Sequence, residues 1–501
     1  MFEKPVAARA AAVAAAVGLA VLIVFASGAQ PGYDTSWHLV WAHQILSGHG
    51  LQPDTWAAHV PTFDAWAAPT EHPLLMLIAQ VAALFGSAAP QVMLIFTLLA
   101  LFGLLEAMRQ LGREVFGSGL AGVAGWVLMA GAYGLLLQAL RGYLDVWFLL
   151  LVTIAALRIA RTKQASAGWI PLILAGLLRP EAWLLAGIAL IAGWKQAGRE
   201  DRLKAIAAVM APPAIWFSID GLVTGQPLLS LKTASALEVV GSGGPLHVFA
   251  GALGGGLRGP ATLLGVLGIG LALKKLGLQR VRLPLVLIAA GLAMAVVIAV
   301  GGLTLLPRYL MLCDLGLALF AGYAIGGWTS ESNATSWRAA GIAAILAGAV
   351  GAIALGAPAK LASEVRLDAS VHRDLTRLLK QPYMEPAMDR CDRRIGPEPG
   401  TITFPSFRLI PDTMLITEYL PQSIGQAKVF GRAESGSSVA TVSVTISPNE
   451  TDHRIQDRYS HPGIDLPIDE RAPHGFVRIA DSGPFIAWTS CRYLAQKKLS
   501  R

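Results

Sequence analysis

Residues 31–48, PGYDTSWHLVWAHQILSG, set an aspartate, two histidines and two tryptophans directly behind an apolar stretch near 8–28. That stretch is long enough to cross a bilayer, so the pair reads as a first membrane span followed by a loop at the interface. Asp34, Trp37, His38 and Trp41 line one face of a helix that continues to Leu46 and stops at Gly48, and such a helix lies along the membrane surface. Trp37 and Trp41 are ordinary interfacial anchors in this reading. Asp34 is not. The small residues of FASGA (25–29) also suit a signal cleavage site, but the apolar stretch is long for a signal peptide and only two basic residues precede it, so a retained span is expected.

Apolar residues make up 54% of the 501 and charged residues only 14%, and apolar runs recur as far as residue 357. A polytopic membrane protein follows. The net charge of +8 does not indicate nucleic acid: the last 144 residues hold 19 of the 40 Lys and Arg and 17 of the 32 Asp and Glu, so the excess sits in the membrane region. Topology explains it there. Spans are expected near 8–28, 88–108, 117–139, 143–160, 203–223, 260–273, 283–305, 310–328 and 338–357, with a soluble domain over 358–501.

The segment GWIPLILAGLLRPEAWLLAGIALIAGW (168–194) is too short for two full spans, carries Arg179, Pro180 and Glu181 at its centre and has basic flanks. A helical hairpin that enters and leaves on one side satisfies all three facts. Arg179 and Glu181 then lie at membrane depth, where ionisable groups pair or face a polar cavity. Two readings stay open: a structural Arg179/Glu181 pair, or an Arg179 that meets an anionic ligand. With the hairpin counted as two, about 11 helices are expected in residues 1–357.

Threading with the N-terminus inside puts Arg109/Arg113, Arg158/Arg161/Lys163, Lys195/Arg199/Arg202/Lys204 and Lys274/Lys275/Arg280/Arg282 on one side, which the positive-inside bias makes cytoplasmic. The loop 29–87 on the other face contains no Lys or Arg, and the soluble domain joins it outside. In that oxidising setting Cys391 and Cys491 form a disulfide or remain two buried thiols, with the bridge preferred, while Cys313 lies within a span.

The outer loop gathers Asp34, Asp54, Asp64 and Glu71 with five of the ten histidines, among them His38 and His72, and AAPTEHPLLMLIAQVAALFG (67–86) reads as a second interfacial helix. Carboxylates and imidazoles at a membrane surface suit general-base chemistry, with a divalent cation as the weaker alternative. Candidate cations are Arg179, Arg308 beside Tyr309, and Lys232 or Arg258 in the loop before the 260–273 span. Arg308 reads equally as a snorkelling interfacial residue and as a phosphate ligand. Arg141 and Asp145 in RGYLD are expected to form an ion pair at a helix end.

The order YDTSWHLVWAHQILSG, EHPLL, RGYLD, GLLRPEAWLLAG and LLPRYLMLCDLGLALFAGYAI, over roughly residues 8–357, resembles the GT-C superfamily, in a bacterial branch. These are membrane glycosyltransferases that use a lipid-phosphate sugar donor, such as protein mannosyltransferases and aminoarabinose transferases. The resemblance implies an all-α membrane domain, a polyprenyl-phosphate-linked sugar donor, a cell-envelope acceptor on the outer face of the plasma membrane, and Asp34 as the base that deprotonates the acceptor. Glu71 is then a second carboxylate, and His38, His72, Arg179, Glu181, Lys232, Arg258, Arg308 and Tyr309 surround the substrates. Protein mannosyltransferases carry adjacent Asp-Glu in this loop, whereas Thr35 follows Asp34 here, which argues against protein O-mannosylation. The tail, with CDRRIGPEPGTITFPSFRLIPDTMLITEYL and GFVRIADSGPFIAWTSC, resembles extracytoplasmic domains attached to bacterial members, and a helix near 360–380 with short β-prone runs predicts an α+β domain. A transporter or lipid flippase is the alternative, since a broken hairpin with intramembrane ionisable groups also marks transport sites. It leaves the carboxylate-bearing loop without a role.

Overall fold

The computed structural model describes residues 3–48, 72–194, 197–228, 260–300, 307–331, 334–354, 357–381, 401–403, 428–430, 442–446 and 477–489. Its first half runs α1 (Glu3–Ser27), α2 (Tyr33–Leu46), α3 (Pro73–Ala83), α4 (Ala89–Phe116), α5 (Gly119–Ala130), α6 (Tyr133–Leu140), α7 (Asp145–Thr162), α8 (Trp169–Gly176) and α9 (Glu181–Gly193). There follow α10 (Arg199–Thr224), α11 (Pro260–Leu276), α12 (Leu278–Val300), a 3-10 turn Pro307–Leu310, α13 (Met311–Gly326), α14 (Thr335–Ala354) and α15 (Ala357–Leu379).

Local chemistry sets the boundaries. Gly117, at φ +69, stops α4 in a left-handed cap. One residue later the Ser118 hydroxyl accepts the Ala121 N–H and opens α5. The expected span 117–139 is not one straight helix: α5 and α6 meet at 63°. Gly131 is a weak helix former, and Ala132 takes extended backbone as the cap of α6, so the run breaks there. The expected hairpin is two short helices, α8 and α9, that pack on one another around a break at 177–180.

Among the described residues five helices are long and apolar enough to cross a membrane, and six if the bent α5–α6 pair is one span. Their windows differ sharply in burial: 11% of the α1 window is buried and 94% of the Arg308–Ser330 window. So α1 is peripheral and α13 is the axis of the bundle. Large apolar side chains point outward all around it, including Phe25, Ile170, Ile191, Leu222 and Leu267, as a lipid-facing surface requires.

Small residues let backbones touch at that axis. A Cβ on Gly268 of α11 lies 2.0 Å from Phe320 O, and one on Gly322 of α13 lies 2.4 Å from Ala121 O. The two ends of the bundle differ chemically. At one end Arg280 Nε donates to Val115 O (2.8 Å), Lys275 pairs with Glu331 (2.9 Å), and the Ser118 hydroxyl donates to Gly326 O (2.8 Å). Lys275 and Arg280 of the expected basic clusters therefore lie there, Arg280 against the end of α4, while α2, α3, the start of α7 and the turn at 307–310 lie at the other end.

Beyond α14, the amphipathic helix α15 packs on α6 and α1 and also on the β-structure. The strands β1 (Thr401–Thr403), β2 (Lys428–Phe430), β3 (Val442–Ile446), β4 (Val477–Ser482) and β5 (Phe485–Thr489) form one mixed sheet in the order β2-β1-β3-β5-β4. β1 runs parallel to β2 and β3, and β3, β5 and β4 are antiparallel. Cys313 is buried in α13. Cys391 and Cys491, and with them the expected bridge, lie outside the described residues.

Gly322→Ala forces the α5 and α13 backbones apart, because both atoms it meets within 2.6 Å belong to main chain. A loss of roughly 1–3 kcal/mol is expected, read as a lower unfolding midpoint in detergent. Gly348→Ala, inside α14 with open space around its Cβ, does not lower the midpoint and raises it slightly, since Ala is the better helix former.

Candidate active site

Asp34 sits in the first turn of α2, where a helix N-terminus favours an acidic side chain, and it is 6% exposed. Its Oδ2 accepts a hydrogen bond from Arg308 Nη1 at 2.6 Å. Arg308 comes from the 3-10 turn ahead of α13, so two elements 274 positions apart meet in one ion pair, with the carboxylate buried and the guanidinium half-buried.

From Arg308 the site continues through rings. Its guanidinium lies 5.5 Å from the Tyr143 ring centre and 5.7 Å from that of Tyr309. Arg179, held in the break between α8 and α9, approaches Tyr309 at 5.1 Å, so one ring serves two cations. Arg179 Nη1 donates to Glu181 Oε1 at 2.7 Å, and its Nη2 donates to Asp145 Oδ1. Arg179 and Glu181 thus pair with each other, with Asp145 as a second partner of Arg179.

The expected Arg141/Asp145 ion pair does not form. Gly142, at φ +76, breaks the chain between α6 and α7, so Asp145 turns inward to Arg179. Arg141 turns outward to Asp368 and Glu364 of α15. Asp145 is therefore a site residue that sequence reasoning misplaced. Tyr143 and Trp216 were missed altogether: their contacts are tertiary, and no local pattern marks them.

The histidines form a second limb. His38 Nδ1 contacts Asp34 O at 2.6 Å, and the His72 N–H donates to His38 Nε2 at 3.2 Å. A carbonyl only accepts and an amide only donates, so His38 is neutral with its proton on Nδ1. Its ring stacks on His72 at 5.5 Å, and His72 meets the edge of Trp216 at 5.5 Å. Burial pushes His38 down to about 4, against the raising effects of the Asp34 carbonyl and charge. Burial also holds His72 well below its ordinary value, helped by His38, Arg179 and Arg308.

Asp34, His38, His72, Arg179, Glu181, Arg308 and Tyr309 are thus brought together. Glu71, Lys232 and Arg258 lie outside the described residues. The assembled groups set three acidic side chains (Asp34, Asp145, Glu181) against two guanidiniums. Among the described residues no group of three or more His, Cys, Asp or Glu is arranged to hold a metal ion. Several buried polar atoms face this region without a partner: Thr35 Oγ1, His72 Nδ1, Arg308 Nε and Asp145 Oδ2. Buried orphans of this kind cluster where a polar ligand completes the bonding.

Stability should fall as pH drops from about 6.5 toward 4. In that window the unfolded chain protonates His38 and the folded chain does not, so the unfolded state binds more protons. The loss attributable to His38 is on the order of 3 kcal/mol at its full extent. Unfolding midpoints at pH 7 and pH 4.5 should differ more for the wild type than for His38→Gln.

No protein-family model matches the chain, and no curated protein matches it. Among solved structures it is similar to ArnT from Cupriavidus metallidurans bound to undecaprenyl phosphate, with a TM-score of 0.55 and 14% identity, over 96% of this chain and 98% of that one. It is likewise similar to ArnT from the same organism in the apo state, with a TM-score of 0.52 and 14% identity, over 97% and 99% of the two chains. At this identity the likeness is one of fold. With the apolar helices it shows a multi-pass membrane protein whose fold is like that of ArnT.

Proposed function

We propose that this chain is a GT-C type glycosyltransferase of the plasma membrane, which moves a sugar from a polyprenyl-phosphate donor to a cell-envelope acceptor on the outer face. The observation that carries the reading is the Asp34–Arg308 pair, 2.6 Å long, at the end of the bundle away from Arg280 and Lys275. It joins a proton acceptor to a phosphate-binding cation. The ArnT structure bound to undecaprenyl phosphate supports the donor class. In this reading the bundle has eleven membrane helices, the N-terminus is cytoplasmic, and residues 358–501 form an extracytoplasmic domain.

The mechanism follows from the pairing. The donor phosphodiester is an anion and competes with Asp34 for Arg308, which frees the carboxylate as the lipid binds. Asp34 then takes the proton of the acceptor hydroxyl while its oxygen attacks the anomeric carbon. The bond from that carbon to the phosphate oxygen breaks, and polyprenyl phosphate leaves with the electron pair, so the anomeric centre inverts. Tyr309 and Arg179 hold the Arg308 turn in place. Both guanidiniums are already paired with carboxylates, and Glu71, Lys232 and Arg258, which lie outside the described residues, stay candidates from the sequence for a second carboxylate and added positive charge.

Purified protein should transfer labelled sugar from one of a panel of polyprenyl-phosphate donors. Asp34→Asn should lower kcat by about 10²- to 10⁴-fold, the range of general-base catalysis, with donor binding retained. Arg308→Gln should weaken binding of polyprenyl phosphate itself. Full turnover by Asp34→Asn removes Asp34 as the base, and failure of the folded wild type to bind any lipid phosphate removes the transferase reading.

A further inference from the structure

One branch of contacts leads from Asp34 away from the reacting groups, toward α15. The turn Arg141–Gly142–Tyr143 lies against the start of α2, where the Gly32 N–H donates to Arg141 O at 2.7 Å. The fit has no slack. A Cβ on Gly32 lies 2.3 Å from Tyr143 Cε2, and one on Gly142 lies 2.9 Å from Thr35 Cγ2. Tyr143 in turn carries the Arg308 guanidinium on its ring at 5.5 Å. A displacement of this turn therefore moves both partners of the Asp34–Arg308 pair.

The Arg141 side chain points the other way. Its Nε donates to Asp368 Oδ2 at 2.9 Å and its Nη2 to Asp368 Oδ1 at 3.3 Å, with Glu364 Oε2 3.7 Å away. The two carboxylates are four residues apart on α15, so they stand on one face of it. The Arg141 and Asp368 side chains are only 22% and 14% exposed, so this forked pair is screened less than a surface salt bridge. Nearby, Lys360 lies over the Tyr133 ring at 5.4 Å, and on the β-hairpin side the Gly483 turn rests on Asp374.

We propose that Arg141 is a positioning residue. Clipped to Asp368 and Glu364, it makes α15, with the hairpin packed on it, part of the apparatus that seats Asp34 against Arg308. The role of α15 is then to hold the entrance of α2 in register with the turn at 307–310. A plain brace between two parts of the protein predicts something different: its loss loosens the whole bundle without singling out α2.

The test uses full-length protein in nanodiscs, with hydrogen exchange of peptides spanning 30–37 compared with peptides from α4. Asp368→Asn is the mild variant, Arg141→Ala the severe one, and Arg141→Lys keeps the charge but loses the fork. Exchange at 30–37 should accelerate roughly tenfold in Asp368→Asn and Arg141→Ala, as expected for local opening of one unit, and less in Arg141→Lys, while α4 stays unchanged. The kinetic arm rests on the transferase reading: in the same variants kcat should fall as Asp34 loses its seat and the donor KM should rise as Arg308 loses its own, with Arg141→Lys partly restoring both. Unchanged exchange at 30–37, or equal acceleration in α4, overturns the proposal. A wild type without sugar transfer overturns the transferase reading alone, because the exchange measurement still decides the role of Arg141.

Discussion

The Asp34–Arg308 pair, with its carboxylate buried and its guanidinium largely withdrawn from water, is the constraint around which the site end of this protein is organised. Removing two charges from water costs several kcal/mol per ion, and their attraction offsets this only when the geometry is good and the remaining polar atoms are occupied. Here the compensation is assembled from α2, the turn before α13, the α8–α9 break and the α6–α7 turn. Arg179 extends the arrangement, since its own burial draws in Asp145 and Glu181. Each element is held where it is partly by a charge that another element must neutralise.

The opposite demand, close packing without charge, is met by α13. Glycines on it and on its neighbours bring main chains into contact, so the helix that delivers Arg308 is anchored along most of its length. A rigid axis with a short 3-10 turn at its mouth fixes the base of the Arg308 side chain and leaves the guanidinium free to exchange one anion for another. That combination suits a site where a ligand anion replaces a protein carboxylate.

Much of this was readable from the residues, for reasons that differ by element. The apolar runs gave positions close to α1, α4, α10 and α12, because lipid-facing helices have to be apolar along their length. Arg179-Pro180-Glu181 inside an apolar stretch marked the α8–α9 break, since charge and proline together are intolerable in a lipid-facing helix. Asp34 stood out as a carboxylate beside a span. The errors were tertiary. Arg141 and Asp145 look like an i, i+4 pair, yet Gly142 separates them and their partners lie 227 and 34 positions away. The α5–α6 bend turns on one glycine within an apolar run. The Tyr143 and Trp216 contacts leave no trace in local spacing, because ring stacking depends on distant backbone placement.

The 274 positions between Asp34 and Arg308 also bear on how the chain is made. At roughly 5–20 residues per second, synthesis separates the two side chains by about 15 to 55 s. For that whole interval the aspartate has no guanidinium, and a solitary carboxylate cannot wait in hydrocarbon. Until the segment that carries Arg308 arrives, water has to stabilise the carboxylate. Its burial is thus a late event of assembly, set by the order in which the chain is made, and the α15 contacts to Arg141 follow later still.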